Sequence, residues 1–121
     1  MHVMRLPKSK RIKLSGDFRR VREEGKTHRG KHLVLGVLRD ESVPTIKVGF
    51  ITTRRLGNAV TRNRVRRLLR AVVRDLGPEI APGHFLVVIA RRPAADASYE
   101  ALRKEWKWLM HRAKLFLPQE Q

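Results

Sequence analysis

Eight arginines lie between Arg54 and Arg74, and no acidic residue interrupts them before Asp75. They are Arg54, Arg55, Arg62, Arg64, Arg66, Arg67, Arg70 and Arg74. A guanidinium stays charged at any physiological pH, and its planar fork donates in pairs to phosphate oxygens. On a helix, like charges three and four residues apart repel. Such a run destabilises its own helix until a polyanion neutralises it. The chemistry it suits is phosphate binding.

The remaining polar residues offer no protein-borne catalysis. The eleven carboxylates are scattered, apart from Glu23-Glu24 and Asp40-Glu41, which read as helix-end and turn residues. They form no two-metal nuclease cluster. His28 and His32 are four apart but flank a turn-to-strand transition, and His2, His84 and His111 have no evident partners. The chain has no cysteine, which excludes disulfides, thiol catalysis and Cys-based zinc sites and fits a cytoplasmic location. No Walker-type loop or nucleophile elbow occurs. No catalytic residue and no metal ligand is therefore expected in the protein.

The elements that position the arginines follow from periodicity. Asn58 is placed to cap a helix over about Ala59 to Leu76. Val65, Leu68, Leu69, Val72, Val73 and Leu76 recur at helical spacing and form one apolar stripe. At about 100° per residue, Asn63, Arg66, Arg67, Arg70 and Arg74 fall on the opposite side, with Arg64 and Arg62 on the two flanks. The result is a basic ridge on an anchored helix, extended past its N-terminus by Arg54 and Arg55. Because these side chains point away from the stripe, replacing Arg66 and Arg70 is expected to weaken polyanion binding and leave stability alone. Asn63 is a poor mid-helix residue, with both donor and acceptor for a sugar or base edge.

Around that helix, Ser15 is placed to cap a short helix carrying Phe18 and Val21, with Gly25 past its end. Leu33–Leu38 reads as a buried strand. Thr45–Thr53 alternates, with Ile46, Val48 and Phe50 on one side and Lys47, Gly49 and Ile51 on the other. The two segments read as an antiparallel pair. Phe85–Ala90 is almost wholly apolar and reads as an interior strand. Ser98 or Asp96 opens a last helix with Leu102, Trp106, Leu109, Ala113 and Phe116 as its core stripe. The expected architecture is α/β (α+β): a small mixed sheet packed with helices as a two-layer sandwich.

The bulk numbers agree. One domain spans residues 1–121, with a basic segment at 1–13 expected to be mobile until bound and a tail at 117–121. The composition is 41% hydrophobic, enough for a core, with 28 Lys+Arg against 11 Asp+Glu and a net charge of +17. Such an excess on a folded domain is the electrostatic footprint of a nucleic-acid binder. Arginine outnumbers lysine 19 to 9, which suits RNA and is equally what GC-rich codon usage would produce. No apolar stretch approaches the roughly 20 residues of a membrane span, and none resembles a secretory leader. The long helix lacks aromatic anchors for a membrane surface. Strands rather than a second short helix flank it, which disfavours helix-turn-helix reading of DNA.

The segment Thr53 to Arg70, with Arg62-Asn63-Arg64 at its centre, Ala59 upstream and Arg66-Arg67 and Arg70 following, resembles the signature of the bacterial ribonuclease P protein subunit. Asp17-Phe18 with Val21 and Gly25, Val48-Gly49, Leu86–Arg91 with Pro93, and Ser98-Tyr99 extend the resemblance over most of the chain. It implies a small α/β sandwich with an unusual left-handed βαβ crossover, against the usual rule. It implies a protein that works beside a catalytic RNA, which removes the 5′ leader of precursor tRNA with Mg2+ held mainly by the RNA. Arg54, Arg55, Arg62, Asn63, Arg64, Arg66, Arg67, Arg70 and Arg74 would then contact the catalytic RNA. Lys13, Phe18, Arg22, Val34 and Val48 would form a cleft for the single-stranded leader, with the free protein a monomer. Phe18 could equally be core. Two departures stand out, Arg22 and Gly36, at positions where the family often has aromatics. The alternative is a ribosomal or RNA-chaperone protein without a catalytic partner.

Overall fold

A computed structural model describes residues 11–12, 15–76 and 80–116; of Ser15 it describes the backbone. Helix α1 spans Ser15–Glu24. Strands β1 (Lys26–Arg29), β2 (Leu33–Arg39) and β3 (Ile46–Ile51) follow, then helix α2 (Ala59–Leu76), strand β4 (His84–Ala90) and helix α3 (Tyr99–Arg112). A 3-10 turn precedes each of the last two helices, at Arg54–Leu56 and Arg92–Asp96. Strand β1, Lys-Thr-His-Arg, has no apolar residue and so gave no periodic signal.

The four strands form one mixed sheet in the order β1-β2-β4-β3. The expected antiparallel pair of β2 and β3 does not form. Strand β4 lies between them, antiparallel to β2 and parallel to β3. Sequence neighbours often pair, but the central place falls to the most apolar strand, because only an interior strand is covered on both faces. The unit β3–α2–β4 is thus a parallel crossover through the arginine helix.

The register sorts the strand residues onto two faces. Leu33, Leu35, Ile46, Val48, Leu86, Val88 and Ala90 meet the buried residues of α2 and α3, forming the main core. On the other face Val21 of α1, with Phe18 against it, meets Ile12, Phe85 and Val87 in a smaller cluster. From α3 the main core takes Leu102, Trp106, Leu109 and Met110, all fully buried. Ala113 and Phe116, expected in its core stripe, are only partly buried, and Met110 takes a core position in their place.

Two glycines set how closely α1 approaches. Gly36 of β2 and Gly49 of β3 both pair with Val87 of β4 and lie level across the sheet. A Cβ on Gly49 would come within 2.4 Å of the Phe18 ring, and one on Gly36 within 2.9 Å of Val21 Cγ1. Gly36 is therefore the seat of Val21 rather than the site of a missing aromatic.

Of the basic segment 1–13, residues 1–10 and Lys13 lie outside the described residues, as does the tail 117–121. Arg11 and Ile12 are not part of a free arm. Arg11 bridges Val48 in parallel, Ile12 N–H donates to the Val48 carbonyl at 3.0 Å, and Ile12 is buried.

Candidate nucleic-acid interface

The arginine helix begins with an ordered turn. Thr53 Oγ1 accepts from Arg55 N–H at 3.4 Å and so caps the 3-10 turn carrying the exposed Arg54 and Arg55. Gly57 then takes φ +136°, which side-chain-bearing residues rarely adopt. Asn58 follows as the expected cap, its Oδ1 accepting from Thr61 N–H at 3.0 Å. Along α2, Val65, Leu69, Val72, Val73 and Leu76 are buried as their spacing requires, Ala71 joins them, and Leu68 packs partly buried beside them.

The ridge is not uniform. Asn63 and Arg67 are exposed, whereas Arg62, Arg64, Arg66, Arg70 and Arg74 are partly buried. Arg64 turns to the backbone leaving the second 3-10 turn, donating to the carbonyls of Ala95 at 3.0 Å and Ala97 at 3.1 Å. It ties α2 to the start of α3. Arg66 donates through Nε to Thr52 Oγ1 at 2.8 Å and through Nη1 to Asn63 Oδ1 at 3.0 Å. The expectation that Arg66 stands clear of the fold is therefore corrected. The polar mid-helix Asn63 acquires a role, since its amide oxygen fixes Arg66 while its amide nitrogen stays at the surface. Arg62 Nε is sheltered and has no hydrogen-bond partner among the described residues.

The far end of the ridge is partly neutralised. Arg74 donates to Asp75 Oδ1 at 3.1 and 3.2 Å, and the Tyr99 hydroxyl donates to Asp75 Oδ2. The Tyr99 hydroxyl, aided by Arg74, holds the Asp75 carboxyl below its ordinary 3.8 against a smaller opposing effect of burial. Burial first, then Asp75, raises Tyr99 above 10.0. Positive charge is thus least compensated toward the N-terminal half of α2.

Beside that half lies a cleft of about 260 Å³ between α1 and the sheet. Its floor is Val34, Ile51, Val87 and Ile89, with Gly36, and its walls include Phe18, Arg19, Arg22 and Thr27. Ile89, at 37% exposure, leaves an apolar face uncovered. Phe18 does two jobs, packing over Gly49 and lining the cleft. Arg20 holds α1 from behind, bonded to Asp40 at 3.2 Å, with its guanidinium 5.8 Å from the Phe85 ring centroid. Ile51, at the cleft, directly precedes Thr52, the acceptor for Arg66. Cleft and ridge therefore meet at the C-terminal end of β3.

Of the expected cleft residues, Phe18, Arg22 and Val34 come together. Val48 does not. It is 1% exposed and lies on the opposite face, under α2 and α3. Its alternation with Gly49 and Ile51 holds, but such a pattern does not say which parity α1 covers. Lys13 is outside the described residues. Arg19, Thr27, Ile51, Val87 and Ile89 were missed. The usable signal was the Lys47-Gly49-Ile51 side of β3, whose glycine admits an aromatic ring.

The family model for ribonuclease P matches residues 6–114. This chain belongs to the ribonuclease P protein family. A ribonuclease P protein component from Bacillus cereus is 36% identical over 99 residues, covering 82% of this chain and 86% of the relative. The ribonuclease P protein structure from Staphylococcus aureus superposes with a TM-score of 0.82 at 27% identity, covering 89% of this chain and 98% of that one. The protein from Thermotoga maritima has the same fold, with a TM-score of 0.76 at 24% identity over 84% of this chain and 96% of that one. Membership makes the chain a protein component of a tRNA-processing endonuclease and implies an RNA partner. No helix among the described residues is long and apolar enough to cross a membrane.

Proposed function

We propose that this ribonuclease P protein binds the catalytic RNA through the N-terminal half of α2 and the 5′ leader of precursor tRNA in the cleft beneath α1. It thereby assists Mg2+-dependent removal of the leader. The observation that carries this reading is the junction at Ile51 and Thr52. There the cationic helix, its Arg66 held by Thr52 and Asn63, adjoins an apolar cleft rimmed by Arg19 and Arg22.

Duplex and folded RNA present phosphates to a rigid guanidinium row. A single strand, by contrast, offers bases that lie on Phe18 and the apolar floor while Arg19 and Arg22 meet its phosphates. Arg62, partly buried in the first turn of α2, adds its charge to the same surface. Arg54 and Arg55 extend the same field, and Arg70 and Arg74 continue it with decreasing net charge. Arg64 supports the surface from within.

The Mg2+ is assigned to the RNA, whose phosphate oxygens suit this hard cation. The protein contributes positioning and charge, in the cytoplasm and without a membrane or DNA partner.

Reconstitution tests the reading. The protein is mixed with a bacterial ribonuclease P RNA and a precursor tRNA at low magnesium. Faster 5′ processing than with RNA alone is expected, with no cleavage by the protein alone. An unchanged rate across several such RNAs would sink it.

A further inference from the structure

A second basic surface shares no lining residue with the cleft and none with the ridge. The turn between β1 and β2 and the outer side of α3 enclose a groove of about 530 Å³, within the range of about 300–1,000 Å³ for small-ligand sites. Arg29, Lys31 and Lys104 line it, all exposed, together with Trp108. Trp108 is 48% exposed, the largest uncovered aromatic among the described residues. The Arg112 guanidinium lies 5.3 Å from its ring centroid.

One acidic residue lines this groove, and it is committed to the fold. Glu105 is 11% exposed and accepts from the backbone N–H of His32 at 2.8 Å and of Leu33 at 2.6 Å, with His32 Nδ1 at 3.0 Å. Gly30 admits it, since a Cβ there would come within 2.6 Å of the carboxylate. Arg91 also donates to the Gly30 carbonyl at 2.7 Å, which fixes the turn. Glu105 thus braces the groove from below while the open rim is cationic.

We propose that this groove is a second RNA contact, taking an unpaired nucleotide whose base stacks on Trp108 and whose flanking phosphates meet Arg29, Lys31 and Lys104. An aromatic platform flanked by cations is the chemistry that holds single-stranded nucleotides. Charge decides between occupants. A second copy of a chain carrying +17 is repelled from a cationic rim, whereas a phosphodiester is attracted. The proposal rests on the reading of the chain as an RNA-binding subunit.

Trp106, the other tryptophan, is fully buried, so Trp108 is the indole that reports surface contact. The full chain is titrated with a bacterial ribonuclease P RNA, following tryptophan fluorescence and affinity at fixed salt. Quenching at saturation is expected. Trp108→Ala should lower affinity about ten-fold, the loss of one base stack, with an unchanged circular dichroism spectrum, while Trp108→Phe should stay near wild type. Arg67→Ala should weaken binding yet keep the quench.

RNA binding with unquenched Trp108 and an unaffected Trp108→Ala variant would overturn this inference alone. So would a sedimentation shift of the free protein on Trp108→Ala, which would mark a surface between copies. Absence of RNA binding by the wild type would remove this inference and the proposed function together.

Discussion

The ridge on α2 and the cleft under α1 adjoin each other but are built in opposite ways. The ridge exists because side chains are present and held: Arg64 by two carbonyls of the turn before α3, Arg66 by Thr52 and Asn63. The cleft exists because side chains are absent, at Gly36 and Gly49, where α1 settles against the sheet on Val21 and Phe18. A positive surface for a folded RNA gains from rigid donors, which lose little entropy on binding. A cleft for a flexible strand gains from an uncovered apolar floor, which Ile89 supplies. The contrast separates exposed cations such as Arg67 from side chains that hold the surface in place.

Substitutions can break that comparison, the largest effect coming from beneath the ridge. Val72 is fully buried, and Val72→Asp places an unpaired carboxylate in the main core. A loss above about 4 kcal/mol is expected, seen as loss of the cooperative urea transition. A folded, RNA-binding variant would mean that α2 is not anchored as described.

Gly49→Val comes next. Its side chain would collide with the Phe18 ring, for a loss of about 2–3 kcal/mol in urea denaturation. Binding of a leader-bearing precursor tRNA to the holoenzyme should weaken more than binding of mature tRNA. Equal weakening of both would detach Phe18 from the leader.

Within the ridge, Arg64→Ala should cost about 2 kcal/mol, because it removes charged donors from two backbone carbonyls. Arg67→Ala should stay within about 0.5 kcal/mol and instead reduce the slope of log affinity against log salt by about 0.7–0.9 per lost phosphate contact. A reversed pattern would exchange the structural and binding roles assigned to the two arginines.

The smallest effect concerns the neutralised end of the ridge. The folded state favours the ionised form of Asp75, so its contribution is present above 3.8 and is lost as pH falls through its lowered folded value. For Tyr99, raised above 10.0, the contribution is present below that value and is lost as pH rises through the folded value. Tyr99→Phe should therefore separate from wild type in urea midpoint near neutral pH and converge with it as pH falls through the lowered Asp75 value. A gap that persists at acid pH would assign the effect to packing.

Legibility in the sequence followed the range of the interactions. Helix α2 was readable to its ends, because its stripe, the Asn58 cap and the arginine spacing are local patterns. At α3 the sequence leaves Ser98 and Asp96 as alternative starts, and the cap falls to Ser98, whose Oγ accepts from Ala101 N–H at 3.1 Å. The alternation of β3 holds residue by residue, yet Val48 lies outside the cleft and β4 rather than β2 is the neighbour of β3. Nothing local tells a strand which of its faces a distant helix will cover. The groove at Trp108 was invisible for the same reason, since it joins residue 29 to residue 108.

By itself, then, the sequence determined the cationic helix, its anchored side and the resemblance that placed the chain among ribonuclease P proteins. These rest on i to i+4 spacing and on motif register, which the chain carries along its own length. Tertiary structure alone decided that β4 separates β2 from β3, that Gly36 and Gly49 share one row, and that Arg64 faces inward while Arg67 faces out. Those outcomes depend on contacts between residues far apart in the chain, where packing of whole faces outweighs any local preference.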